Sequence, residues 1–412
     1  MASKMVTETI SKLVIKPSSP TPESLRHYNL SSVDQIMPSV YGSLAFFYPD
    51  PCKEISTICE ELQNSLAKTL SHYYPFAGKL IENDYIDCND QGVEFVQVRI
   101  NFPMSDILRT TKSEVADLVF PREVAAGSED YLVVVQLSQF DCGGIGVGLC
   151  VSNKVADAST IVNFMVDWAS SARISSHMPT PVLLSDSVFP HGNGISPPPF
   201  EPSPNCVARK FLFSAQEIEK LKSMVVESGI DEPTSEEVVA AVLYHSAINC
   251  GSSKAAAVLI GRYLLRPLFE LSENSVGNMT TFYFCINSQD EKSEFPALVG
   301  KIKKAKLKLA TLSKEEINYD SQFKDLEKCL SNINNSSFEV YLLSTFCGSP
   351  IYEVDFGWGK PIRVTRLISK LKDLLSLMDS PEGGIETLVI LDEEKMAKFE
   401  KNQLLLSYAS LI

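Results

Sequence analysis

The stretch GVGLCVSNKVADAST, residues 146–160, passes from an apolar run through a polar elbow into a segment with helical spacing. Two of its side chains could take part in chemistry: Asn153, where the apolar run gives out, and Asp157, four residues later. An elbow at the end of a buried strand exposes a side chain on a rigid support, a common place for a reacting group. A proton acceptor is the usual occupant. An amide donates and accepts hydrogen bonds but takes no proton at neutral pH. The same spacing supports a purely structural reading, in which Asn153 caps a helix that begins at once and Asp157 is a first-turn acid on the same face, favoured by the helix dipole. On spacing alone the structural reading is the stronger.

A second stretch, YEVDFGWGKP, runs from Tyr352 to Pro361. Gly357 and Gly359 bracket Trp358, and Asp355 precedes Phe356. Glycines let the backbone bend closely while aromatic rings anchor it. Asp355 has no reactive neighbour in sequence, so a rigid structural corner is the better reading.

The elements that must hold these residues follow from periodicity. TETISKLVIKPS alternates as an opening strand and is ended by Pro17, Pro20 and Pro22. CKEISTICEELQNSLAKTLSHYY carries Ile55, Ile58, Leu62, Leu66 and Leu70 at helical spacing. GVEFVQVRI, YLVVVQLSQF and VGLCVS read as strands, and ADASTIVNFMVDWASSAR as a helix. SVFPHGNGISPPPFEPSPNC, about residues 187–206, is dense in proline and glycine and predicts a crossover between domains. Beyond it, SAQEIEKLKSMVVES reads as a helix capped by Ser214, and TSEEVVAAVLYHSAI as one capped by Thr234 or Ser235. SKAAAVLIGRYLL, MTTFYFCIN and TLVILD read as strands, FPALVGKIKKAKLKLATL and DEEKMAKFEKNQLLL as helices.

Composition bounds the function. With 412 residues, 44% apolar and 21% charged, the chain suits a soluble protein of two domains. A net charge of −14 argues against a nucleic-acid groove or an anionic membrane surface. The ten cysteines form no CxxC pair, the N-terminus has no signal-peptide core, and no run is long enough for a membrane span; together these predict a reducing, cytoplasmic setting. His27, His72, His177, His191 and His245 are the only histidines, none at metal-ligand spacing, so no metal is expected.

KPSSPTPESL, LSSVDQ, YYPFAGKL, CNDQGVEFV, FDCGGIGVGLCVSNKVADAS, PTSEEVVAAVLY, VGN and IYEVDFGWGKP, in this order over nearly the whole chain, resemble the plant BAHD acyl-CoA-dependent acyltransferases, in particular their alkaloid-modifying branch. The resemblance implies an α/β fold of two similar chloramphenicol-acetyltransferase-like domains, each a mixed sheet with helices, with an active-site channel between them. It places an N-terminal domain carrying NKVAD at 1–186, a linker at 187–206, and a C-terminal domain carrying DFGWG at 207–412. It implies no bound cofactor, acyl-CoA (acetyl-CoA) as co-substrate, a small-molecule alkaloid acceptor and a monomer. The family's HxxxD motif falls on Asn153 to Asp157; its histidine takes the proton of the acceptor hydroxyl, and its aspartate turns away and orients the motif through an arginine. Asp355, Phe356, Gly357, Trp358 and Gly359 carry over as its structural DFGWG loop.

Three departures qualify the resemblance. Asn153 stands where the family has its histidine, and a general base contributes about a hundredfold to ten-thousandfold in rate. In GRYLLRPLFE, Leu264 takes the place of one family arginine, leaving Arg266, or Arg262, to hold Asp157. The family's SWC reads TFC, Thr345 to Cys347. Three readings follow: an acyltransferase whose substrate amine supplies the base, a scaffold turned to CoA-independent deacylation, deformylation, cyclisation or rearrangement of an alkaloid, and a non-catalytic binder.

Overall fold

Ile145–Ser152 is apolar nearly throughout and every residue in it is buried, as a strand covered on both faces requires. It is the fifth strand, β5, of a sheet whose other members are β1 (Thr7–Ile15), β2 (Tyr41–Tyr48), β3 (Val93–Ile100), β4 (Val133–Phe140) and β6 (Arg363–Thr365), in the order β1-β3-β4-β5-β2-β6. β3 and β4 are parallel and every other neighbouring pair is antiparallel. Tyr41 pairs with Ser152 and Gly42 with Val151, so the start of β2 lies beside the end of β5. The computed structural model describes residues 7–109, 117–121, 130–174, 176, 178–183, 185–197, 205–250, 256–288, 294–312, 316, 338–367 and 372–412.

Three helices serve the site: α1 (Ser32–Ile36), α2 (Ile55–His72) and α3 (Ala158–Arg173). Ile58, Leu62, Leu66 and Leu70 form the buried stripe of α2, as their spacing predicts. α3 buries Ile161, Phe164, Met165 and Trp168, and Trp168 Nε1 donates to Ser65 Oγ on α2 over 3.0 Å. The other face of the sheet, through Ala45, Phe47, Val96, Val98, Val134 and Cys150, is covered by Met104, Ile107, Val119 and Phe120.

Contacts divide the chain into two units. The first comprises 1–199, 272–279 and 349–369; the second comprises 200–271, 280–348 and 370–412. The break at 199/200 lies inside the proline-rich stretch 187–206, but two later segments return to the first unit. The DFGWG loop is therefore part of the first unit and not of the C-terminal half in which it lies by sequence. The cause is pairing at long range: β6 follows that loop and is zipped antiparallel onto β2, Arg363 opposite Phe47.

The second unit has a seven-stranded sheet in the order Thr280–Ser288, Ala256–Leu264, Phe338–Thr345, Leu374–Asp379, Ile385–Asp392, Cys206–Phe213, Ser410–Leu411. Both units centre on an antiparallel hairpin, β4–β5 in one and 374–392 in the other. Each hairpin has a parallel strand on one side and an antiparallel strand on the other. That shared pattern is the two-domain mixed α/β fold the resemblance implies. Thr234, not Ser235, caps the helix Ser235–Ile248, closing a capping box with Glu237. The segment read as one helix at 392–406 is two, Glu393–Phe399 and Gln403–Tyr408, because Asn402 starts a new helix by accepting from Leu405 N.

Candidate active site

β5 ends at Ser152, and the chain turns before α3 begins at Ala158. Asn153 is thus in the turn and caps nothing. Asp157 is the N-cap, its Oδ1 accepting from Thr160 N at 2.8 Å. The helix does not begin at once, which removes the shared face expected for the two side chains. Asp157 is 1% exposed, and its Oδ2 accepts from Met279 N at 3.1 Å. It fixes two pieces of backbone in place.

Asn153 is held by its main chain. Its N–H donates to Val40 O at 2.9 Å, and its carbonyl accepts from Asn278 Nδ2 at 2.8 Å. Asn278 is fully buried, and its N–H and Nδ2 both donate to Asp34 Oδ1, at 3.0 and 2.8 Å. Asp34 Oδ2 in turn accepts from Ser31 N and Ser31 Oγ, closing the capping box of α1. Burial pushes the Asp34 carboxyl above its ordinary range, against the lowering effect of its Ser31 and Asn278 donors. A second anchor comes from α3: Thr160 Oγ1 bonds Gly277 O at 3.1 Å, and Gly277 has φ +118°, a conformation that favours glycine. The VGN stretch is therefore a backbone clamp on the turn.

The Asn153 side chain is half-buried and has no hydrogen-bond partner among the described residues. Its Oδ1 lies 3.3 Å from where a Cβ on Gly42 would stand, and Ile161 Cδ1 only 2.5 Å from that point. The missing side chain at 42 makes the room in which the amide sits. A cavity of about 350 Å³ borders its neighbours Ser152 and Lys154, and is lined also by Tyr41, Gln91 and Tyr131. Chemically, a fixed backbone presents an unpaired amide that can donate to, or accept from, a small molecule, and no imidazole stands beside it in sequence.

The 355–359 loop is a structural corner. Asp355 Oδ1 accepts from Gly357 N and Gly359 N, at 2.8 and 3.0 Å, and Oδ2 faces Arg173 Nη1 at 3.3 Å. Phe356 is buried edge-on against Trp168, ring centroids 5.1 Å apart, and stacks on Trp358 at 5.4 Å. Arg266 is buried in the second unit, just past the strand Ala256–Leu264. Thr345 and Cys347 are also there, Thr345 Oγ1 donating to Glu236 at 3.2 Å. Sequence reasoning passed over Asp34, Asn278 and Lys154. The Ser31–Asp34 spacing is a capping-box signal for the first, but nothing local announces that Asp34 and Asn278 meet.

A family model described as the Transferase family matches residues 4–406. The chain belongs to that family. The BAHD resemblance is thereby established, and the protein is an enzyme of the acyltransferase type. It is 53% identical over 414 residues to akuammiline synthase 1 of Alstonia scholaris, covering 98% of each chain. It is 49% identical over 435 residues to minovincinine 19-hydroxy-O-acetyltransferase of Catharanthus roseus, again covering 98% of each. Among solved structures it is similar to the crystal structure of vinorine synthase, with a TM-score of 0.88 at 26% identity over 98% of this chain and 99% of that one.

Proposed function

We propose that this enzyme transfers an acyl group, acetyl from acetyl-CoA, to a hydroxyl of an indole alkaloid, and that the alkaloid's own amine receives the hydroxyl proton. The observation that carries the proposal is the Asn153 amide, unpaired in a turn whose backbone is pinned on both sides. The names of the relatives, an alkaloid O-acetyltransferase among them, support the substrate class.

In this reaction the hydroxyl oxygen attacks the thioester carbonyl and its proton passes to the substrate amine. The tetrahedral intermediate then breaks its C–S bond, and the departing thiolate recovers the proton from the ammonium. Asn153 Nδ2 would donate to the oxygen on which negative charge develops. One such donor is worth about a hundredfold to a thousandfold, comparable to the lower part of what the missing base supplies. A base held on the substrate itself acts at high effective concentration.

The same free amide suits a second reaction class, in which Asn153 binds the carbonyl oxygen of an alkaloid ester or aldehyde and water releases the acyl or formyl group without CoA. Purified protein incubated with a panel of amine-bearing indole alcohols, esters and aldehydes, with and without acetyl-CoA, separates the two. Acetylated product with equimolar free CoA supports the proposal. Release of the acyl or formyl group at the same rate with and without acetyl-CoA, and no acetylated product, replaces it by the second reaction, and ligand binding with no product in either arm reduces the protein to a binder.

A further inference from the structure

Lys154 follows Asn153, and its side chain is 1% exposed. A buried ammonium is tolerated only where its hydrogens meet acceptors. Nζ donates to Gln35 O at 2.9 Å and to Asn83 Oδ1 at 2.5 Å. Both acceptor residues carry a second load. Gln35 Oε1 accepts from Gly192 N at 3.0 Å, and Asn83 Nδ2 donates to Ile195 O at 3.0 Å. Gln35 and Asn83 are also joined directly, Asn83 Nδ2 to Gln35 O at 3.1 Å and Gln35 Nε2 to Asn83 O at 3.3 Å. Gly192 and Ile195 lie in the proline- and glycine-rich segment, which has no regular structure over 189–197. His191 also pins that segment: its Nδ1 lies 3.1 Å from Leu30 O, and Nε2 lies 2.9 Å from Asp84 Oδ1.

We propose that Lys154 is a positioning residue that latches the 189–197 segment to the Asn153 turn, so that loosening either one loosens the other. The ammonium orients the Asn83 amide by taking its oxygen, which leaves Nδ2 aimed at Ile195 O. It also holds the Gln35 main chain, from which the side chain reaches Gly192. Because Lys154 and Asn153 are consecutive, whatever fixes the one restricts the other's backbone. Coupling through shared partners is reciprocal, so a disturbance entering at the segment travels back to the turn.

The latch is a physical claim; only its effect on turnover rests on the acyl-transfer reading. It is tested on the full chain by hydrogen exchange in wild type, Lys154→Met, Asn83→Ala and His191→Ala, none of which requires a substrate. All three variants are expected to raise exchange by about tenfold or more in peptides covering both 152–157 and 189–197, while α2 keeps wild-type protection. His191→Ala carries the test if Lys154→Met fails to fold, since it removes only a pin of the segment. Faster exchange at 189–197 with wild-type exchange at 152–157 would overturn the latch. Acetyl transfer is then measured on the same proteins. Under the acyl-transfer reading, His191→Ala lowers kcat and leaves KM for acetyl-CoA near wild type. Coupled exchange in proteins with no acetyl transfer at all leaves the latch standing and sinks the functional reading.

Discussion

Asn278 Nδ2 donates to the main-chain oxygen of Asn153 over 2.8 Å, and the same amide nitrogen donates to Asp34 Oδ1 over 2.8 Å. The turn that presents the Asn153 side chain is thereby hung from a buried carboxylate. Asn278→Ala removes both bonds and leaves the Asp34 oxygen short of a donor in a fully buried site. Leaving a buried acceptor underused there costs about 1–3 kcal/mol. The variant is expected to melt several degrees lower and to lose kcat, with KM for acetyl-CoA little changed. Thermal melts together with steady-state kinetics check this.

Gly42 is needed for space. A methyl group there meets Ile161 Cδ1 at 2.5 Å and presses on Asn153 Oδ1 at 3.3 Å. Gly42→Ala is expected to cost about 1–3 kcal/mol through overpacking, and to lower kcat/KM because the amide must move. Ile161→Val in the same chain withdraws the closest contact and should recover most of the stability. Recovery of activity is expected only in part, since the amide contact stays.

The DFGWG loop is predicted to matter for stability alone. Asp355→Ala frees two backbone N–H groups of Gly357 and Gly359, whose φ values of +104° and +99° need a fixed turn. Its pair with Arg173 is partly exposed and adds little. A loss of about 1–2 kcal/mol in denaturant unfolding, with kcat of the folded fraction unchanged, is the expected outcome.

Burial raises the Cys88 thiol to about 12 and the Cys250 thiol to about 11. At pH 8 their thiolate fractions are then about one in ten thousand and one in a thousand. Both side chains are also buried, whereas Cys52 and Cys142 are exposed. Alkylation of the native protein at pH 8, read by peptide mass spectrometry, should label Cys142 and Cys52 first, with Cys52 slowed because its hydrogen bond to Asp50 raises its thiol. Cys88 and Cys250 should react only after unfolding.

What the sequence disclosed was local. The apolar stripe of Ile58, Leu62, Leu66 and Leu70, the caps at Ser214 and Thr234, and the strand ending at Ser152 depend on side chains a few residues apart. The four-residue spacing of Asn153 and Asp157 was visible too, but which of them caps α3 depends on where the turn ends. The clamps were not visible. Asp34 meets Asn278 across 244 residues, Lys154 meets Gln35 across 119, and β6 pairs with β2 from the far end of the chain. No periodicity in one sequence encodes such meetings, because they are decided by how sheets assemble and not by neighbouring side chains. The residue type at 153, an amide where the family has its base, was legible in the sequence, and the chemistry we propose for it rests on the family resemblance.

The most direct test of the account compares an alkaloid amino alcohol with its isostere in which the amine nitrogen is replaced by carbon. Initial rates of acetyl transfer are measured for wild type and for Asn153→His. The account predicts that wild type acetylates the amino alcohol at least about a hundredfold faster than the isostere, since the amine replaces a base worth that much, and that Asn153→His narrows the gap by acting on both. Equal rates for the two acceptors in wild type, or acetylation by the histidine variant alone, would contradict it.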